Sequence, residues 1–336
     1  MKEAMLYRKL PEQKVACYLC NHHCRIGEGK RGICAVRENR GGTLYTLVYR
    51  RLVSRNVDPI EKKPLFHFAP GTLSFSIAAP GCNFRCDFCQ NYEISQMPRD
   101  QNRIIGEDVN PEQIVAMAKK TGCRTIAYTY TEPTIYFEYA YEIARLATAS
   151  GLKNIFVTNG YMTPEALQTI HPHLHGANVD LKSFREEFYQ NHCGAKLEGV
   201  LRSLQVMKEL GVWVEITTLI IPDLNDGTEE LSDIARFIAS LGKEIPWHIS
   251  RFHPMYKMLD HSITSIRKLE QARKIGLAAG LRYVYTGNVP GDTGEDTFCY
   301  QCGKLLVDRL GFQIVTNRIQ EQKCYHCGTP VDGVDL

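Results

Sequence analysis

From about residue 72 to residue 287 the chain alternates short apolar runs, rich in β-branched residues, with longer amphipathic runs. The short runs, Leu73–Ala79, Thr125–Tyr130, Asn154–Thr158, Ala177–Leu181, Val212–Ile220, Trp247–Phe252 and Arg282–Thr286, read as strands. The runs 111–121, 134–150, 197–210, 228–241 and 263–279, and one opened by Thr163-Pro164, read as helices. Asn110 before Pro111 is a helix-start signal, and Gly151, Gly211, Gly242 and Gly280 are stop signals. Such alternation builds a parallel α/β sheet or barrel, in which ligands gather beyond the C-terminal strand ends.

Thirteen cysteines sit in a chain whose first residues have no apolar core of the kind a secretory signal carries. The most apolar long stretch, residues 212–221, contains Glu215 and is too short to span a bilayer. No membrane association and a cytoplasmic location are therefore expected, in a compartment where disulfides are disfavoured. Hydrophobic residues at 44% and charged residues at 23% exclude a disordered chain. A net charge of +3 gives no broad surface for polyanions. Eleven of the thiols fall into three groups, which in a reducing compartment read as metal ligands.

The central group, Cys82-x3-Cys86-x2-Cys89, follows the first strand of the alternation. Three thiolates are one too few to close a four-iron cluster, so one iron keeps an open position. The competing reading is a structural zinc knuckle short of one ligand. This spacing, with Phe88 before the third cysteine, resembles the radical S-adenosylmethionine (SAM) superfamily. The resemblance implies a 4Fe–4S cluster whose fourth iron chelates the amino and carboxylate groups of SAM. It further implies reductive cleavage to methionine and a 5′-deoxyadenosyl radical that abstracts a hydrogen atom. A flavodoxin- or ferredoxin-type reductant is implied as the electron source.

The same resemblance assigns roles at the strand ends. Thr131-Glu132-Pro133 resembles the superfamily's Gly-Gly-Glu-Pro motif, with Tyr130-Thr131 in place of the glycines, and implies that Glu132 receives the SAM amino group. A helix N-terminal acid is the alternative for Glu132. Thr158 and Asn159 are strand-end polar residues able to hydrogen-bond ribose hydroxyls or a carboxylate, and Asp180-Leu181-Lys182 is similar to an Asp-Leu-Lys that reaches SAM in pyruvate formate-lyase activating enzymes, against a plain turn-forming role. Phe88 is implied near the adenine and His253 near the adenosyl group, with a core aromatic and a satisfied histidine as the alternatives. Glu215 and Thr217 share one face of their strand, as substrate or SAM contacts or as a buried hydrogen-bond network.

Cys299-x2-Cys302 and Cys324-x2-Cys327 flank a segment whose alternation suggests a hairpin, a zinc-ribbon pattern with an auxiliary iron–sulfur cluster as the alternative. Cys17, Cys20, Cys24 and Cys34 form a less regular group, read as a zinc site ahead of an iron–sulfur cluster. His22 and His23 read as exposed loop residues, Cys123 and Cys193 as core thiols, and residues 1–44 as polar and loop-like. The charged run Glu61-Lys62-Lys63 reads as a solvated turn, with docking of a nucleic acid as the alternative.

Three segments together narrow the resemblance. They are Cys17–Cys34, Asp58-Pro59-Ile60-Glu61-Lys62-Lys63-Pro64, and Gly81–Asn91, joined by Gly287-Asn288-Val289-Pro290-Gly291. The chain resembles the AmmeMemoRadiSam-system radical SAM enzymes, which are similar to pyruvate formate-lyase activating enzymes. This implies AMMECR1-type and Memo-type partner proteins and leaves the substrate open among protein, RNA and small molecule. A glycyl-radical activase, and a zinc-ribbon binding protein without radical chemistry, are the competing functions. The expected fold is α/β, a partial (β/α)6-type TIM-like barrel over residues 67–290. A Cys-rich segment over 1–66 precedes it, and a zinc-ribbon-like metal-binding tail over 291–336 follows.

Overall fold

The computed structural model describes residues 1–289, 291 and 293–336; Pro290 of the Gly287–Gly291 run lies outside the described residues. One eight-stranded sheet organises the molecule. Its strands are β1 (Ser54–Pro59), β2 (Leu73–Ala78), β3 (Thr125–Tyr128), β4 (Lys153–Thr158), β5 (Gly176–Asp180), β6 (Trp213–Ile220), β7 (Trp247–Arg251) and β8 (Val284–Gly287). Each strand pairs with its neighbour in sequence, so the order runs from β1 to β8 with no reversal. β2 through β8 are parallel, and β1 is an antiparallel edge strand on β2.

Helices α1 (Pro111–Lys120), α2 (Phe137–Ala149), α3 (Pro164–Ile170), α4 (Leu197–Glu209), α5 (Thr228–Leu241) and α6 (Ile266–Ala278) supply the crossovers. Local chemistry sets their starts. Asn110 and Gln113 form a reciprocal capping box on α1, and Thr163 and Ser265 cap α3 and α6. A 3₁₀ turn, Pro133–Tyr136, precedes α2, with Glu132 as its cap.

Strand alternation sorts the two faces of the sheet. Val214, Ile216 and Ile220 of β6 join the main core with the helices, while Glu215 and Thr217 face the opposite way. That opposite face is filled by the segment between β1 and β2. Phe68 packs with Ala127 of β3 and Ile155 of β4. Gly176 of β5 admits it, since a Cβ there would stand 2.8 Å from the Phe68 ring. The Pro64 carbonyl accepts from Asn178 Nδ2 of β5 at 2.8 Å. Glu215 of β6 accepts from the backbone N–H groups of Phe66 and His67 at 3.0 and 2.8 Å. Phe66 meets His248 of β7 and Tyr285 of β8 edge to face. Six neighbouring strands thus contact one short segment.

This overturns the expectation of a solvated turn at 61–63. Glu61 and Lys63 are buried, and only Lys62 is exposed. Lys63 pairs with Asp58 at 2.6 Å, and Glu61 accepts from the Gly71 N–H at 2.7 Å. Asp58 takes the lysine charges and backbone holds Glu61, so a polar run reads as surface when it is core. Residues 1–44 also depart from the loop expectation. They hold strands Lys2–Glu3, Tyr7–Lys9, Val15–Cys17, Arg25–Ile26, Arg37–Arg40 and Thr43–Thr46, paired into two three-stranded sheets. Strands this short carry too little periodicity to be seen in sequence.

At the other end, Thr297–Phe298, Leu305–Leu310 and Gln313–Asn317 form an antiparallel meander. Arg309 anchors it, lying over the Phe66 ring and donating to the Phe66 carbonyl at 3.0 Å. Among the described residues no helix is long and apolar enough to cross a membrane.

Candidate active site

The loop after β2 carries Cys82, Cys86 and Cys89 to the C-terminal end of the sheet, where the fold class places its ligands. Gly81 makes the turn at φ +112°, and a Cβ there would come within 2.9 Å of Val36. The loop is held by backbone bonds: Gly81 to Ile94, Arg85 to Cys193, Asp87 to His192, and Lys257 to Asp87, all between 2.9 and 3.0 Å. Cys86 is buried, and Cys82 and Cys89 are partly buried.

Burial, with Glu132 nearby, pushes the Cys82 thiol well up, and burial raises Cys89. Cys86 goes the other way, because a hydrogen bond from Cys193 favours its thiolate against burial. Cys193 is therefore not only a core thiol; it touches the central group. Buried Asn83 Nδ2 lacks a partner beside these sulfurs. Three thiols, one without a raised proton affinity, and an orphaned donor fit a cluster held by three ligands with one position open.

Glu132 lies at the end of β3 with 2% of its surface exposed. Its Oε1 accepts from the Thr134 N–H at 3.0 Å, the Thr134 hydroxyl and the Thr158 hydroxyl at 2.8 Å; its Oε2 accepts from the Asn159 N–H at 2.8 Å. Each carboxylate oxygen has two lone pairs, so Oε2, with one donor, keeps one free. Burial raises this carboxyl despite the four donors. Asn159 Nδ2 reaches Asn83 Oδ1 at 2.8 Å and lies 3.8 Å from Cys82 Sγ. Lys182 donates to Asp180 at 2.8 Å and stands 5.7 Å from the centre of the Phe88 ring. Burial opposes the Lys182 charge, but Asp180, Cys86 and Cys193 together hold its ammonium well above the usual range. Glu132, Thr158 and Asn159 thus gather by Cys82, while Asp180, Lys182 and Phe88 gather by Cys86.

His253 is exposed, two residues past β7. The buried histidine of that strand is His248, which sequence reasoning passed over. Its Nε2 meets Glu215 Oε2 at 2.7 Å. Glu215 also takes the Trp213 indole N–H, so it is the hub of a network that pins the 64–67 segment. Burial would raise Glu215, and the His248 bond and charge reverse this and hold it low. Asp180, Thr217, His248 and Tyr285 stand at matched register on β5 to β8. A pocket opens there, lined by Thr217, His248, Ser250 and Tyr285 and by Phe312 of the C-terminal hairpin. Strand parity was the signal that could have found His248.

The flanking thiols differ. Cys299, Cys302, Cys324 and Cys327 bring their sulfurs within 4.8 Å of one another, with two pairs at 3.7 Å. Tetrahedral zinc with bonds of about 2.3 Å sets its thiolates about 3.8 Å apart. The Thr329 hydroxyl, 3.2 Å away, pulls the Cys327 thiol down to about 6. At the other end, Cys17, Cys20, Cys24 and Cys34 line one pocket. His23 is exposed as expected, but His22 is drawn inward. Its Nε2 lies 2.9 Å from the Asn83 carbonyl and its ring meets Tyr161 edge to face, contacts distant in sequence.

Comparison with known proteins follows this geometry. The family model described as the Radical SAM superfamily matches residues 76–238. The uncharacterized protein MJ0808 of Methanocaldococcus jannaschii is 46% identical over 99% of both chains. A pyruvate formate-lyase-activating enzyme of Clostridium pasteurianum is 21% identical over 58% of this chain and 84% of its own. A radical SAM methyltransferase from Sphaerobacter thermophilus shares the fold, with a TM-score of 0.52 at 15% identity over 71% of each chain.

Proposed function

The chain belongs to the radical SAM superfamily, and from that premise we propose an enzyme that binds SAM over the strand ends of β2 to β5 and acts on a hydrogen-bearing substrate. When bound, a 4Fe–4S cluster and SAM supply one-electron cleavage of the sulfonium to a 5′-deoxyadenosyl radical. Cys82, Cys86 and Cys89 are the ligands that would hold the cluster. The free acceptor site on Glu132 Oε2 takes the SAM ammonium, while Thr134, Thr158 and Asn159 fix the carboxylate. Lys182, steered by Asp180, supplies a positive charge beside Cys86. Phe88 offers an apolar face to the adenine, and Asn159 positions Asn83 beside Cys82. His253 is left as a contact from outside the buried site.

The observation that carries this reading is the convergence of a buried, four-donor carboxylate with the three thiols of the 82–89 loop. Eight strands in unbroken order, six of them in contact with the 60–69 segment, support a partial barrel. The pocket along β6 to β8 is then the place for substrate. Zinc in the ribbon, a flavodoxin- or ferredoxin-type donor, a cytoplasmic setting, and AMMECR1-type and Memo-type partners belong to the same proposal. A glycyl-radical activase is the second reading, favoured by the clostridial relative.

The test is anaerobic reconstitution followed by dithionite-driven turnover, with 5′-deoxyadenosine measured. Wild type should form it, and a Cys82→Ala/Cys86→Ala/Cys89→Ala variant should not. No product from reconstituted wild type would sink the proposal.

A further inference from the structure

Among the described residues, the C-terminal four are the one group of three or more His, Cys, Asp or Glu side chains whose ligand atoms lie within 4.8 Å of one another. Cys17, Cys20, Cys24 and Cys34 are not such a group, yet all four line a single pocket. One zinc ion needs thiolates about 3.8 Å apart. A four-iron cluster takes one thiolate at each iron, so its ligands stand apart around a larger centre. Four thiols that line one pocket without converging as the ribbon's do match the second demand.

The lining agrees. Leu19, Ile26 and Ile135 make it apolar. Arg37, only 2% exposed, enters it, with Nη1 3.5 Å from Cys17 Sγ and Nε without a partner. Its charge is paired with buried Glu138, and its spare N–H can donate to a sulfur of a centre held there, one of the protein's levers on such a cluster. The pocket is also held by the fold. The Cys17 N–H bonds the Cys24 carbonyl at 2.9 Å, Cys20 bridges to Met162, and Asn21 Nδ2 donates to the Met162 carbonyl at 3.0 Å. Thr134 lines the same pocket and donates to Glu132, so the two sites share a wall.

We propose that Cys17, Cys20, Cys24 and Cys34 hold a second, four-thiolate 4Fe–4S cluster, beside the SAM site, and that zinc occupies only the C-terminal ribbon. This goes beyond the proposed function and does not depend on it.

The test reads the N-terminal site without altering it. The Cys82→Ala/Cys86→Ala/Cys89→Ala variant is reconstituted anaerobically with iron and sulfide, and its iron, zinc and acid-labile sulfide are counted. About four irons and one zinc per chain are expected, with a reduced-cluster EPR signal that SAM leaves unchanged. Adding Cys34→Ser should remove or shift that signal. Arg37→Lys in the same background should move its reduction potential. A triple variant with no iron and two zincs overturns the proposal, even if wild type cleaves SAM. Iron retained there upholds it, even if wild type cleaves none.

Discussion

The C-terminal ribbon and the 82–89 loop both present thiols, but they are built by opposite means. The ribbon's sulfurs already converge, around a core of only Cys299, Leu306, Val307, Cys324 and Val331. So small a core does little to offset the entropy of ordering the segment, and a metal held by the four thiols would contribute its binding free energy to folding. The 82–89 loop is instead clamped by backbone bonds to residues 94, 192, 193 and 257 and stands on the main core. There the fold itself sets the thiols in place. A structural site asks its metal to make the fold, while a reactive site asks the fold to leave one position open.

The comparison is broken most easily at the ribbon. Cys324→Ser, or chelation of metal, should abolish amide-exchange protection across 305–317, a local loss on the order of 10 kcal/mol, and leave β2 to β8 protected. Hydrogen-exchange mass spectrometry reads both regions in one experiment. Protection surviving at 305–317 would mean that the ribbon folds without its metal.

Phe68→Ala strikes the scaffold under the reactive loop. It should cost about 3–5 kcal/mol by denaturant unfolding, because Phe68 is fully buried across β3 to β5. A loss under 1 kcal/mol would show that the 60–69 segment is not what the strands close around.

Acid sharpens the contrast next. Burial lowers His67 to about 4, so it stays neutral in the folded protein while the unfolded chain takes up a proton below about 6.5. Core stability should therefore fall as pH drops from about 6.5 to about 4, by up to about 1.4 kcal/mol per pH unit from this group. Glu215, held low, adds a loss in the same direction as pH falls through its folded value. In His67→Gln the pH dependence of unfolding should flatten; an unchanged slope would place the proton elsewhere.

Glu132→Gln replaces an acceptor with a donor amid four donors. It should destabilise by about 1–3 kcal/mol and weaken SAM binding roughly 10–100-fold, read by melting and by calorimetry. The smallest stability effect is expected at the reactive loop itself. Cys82→Ala should shift unfolding by about 1 kcal/mol or less while ending SAM cleavage. A collapse of the fold there would erase the distinction between the two regions.

The alternation of strands and helices was legible because each helix carries its own caps, as Asn110, Thr163 and Ser265 do. The thiol groups and the strand-end residues were legible because short spacing carries them. What was not legible depends on contacts distant in sequence. β1 was hidden in a charged run whose Asp58 and Lys63 pair inside the protein. The β1–β2 connection reads as a turn until β3 to β8 are seen around it. His22 is turned inward by Asn83, 61 residues on, and Cys193 is brought to Cys86 by a π-helical turn at Tyr189–Cys193. Neither leaves a periodic trace.

The central claim is that Cys82, Cys86 and Cys89 leave one iron open to SAM. Electron–nuclear double resonance on the reduced enzyme with SAM labelled by ¹⁵N at its amino group tests it most directly. The account predicts a new hyperfine coupling to that nitrogen in wild type and its loss in the Cys82/Cys86/Cys89→Ala variant. A reduced cluster whose spectrum does not respond to SAM would contradict it.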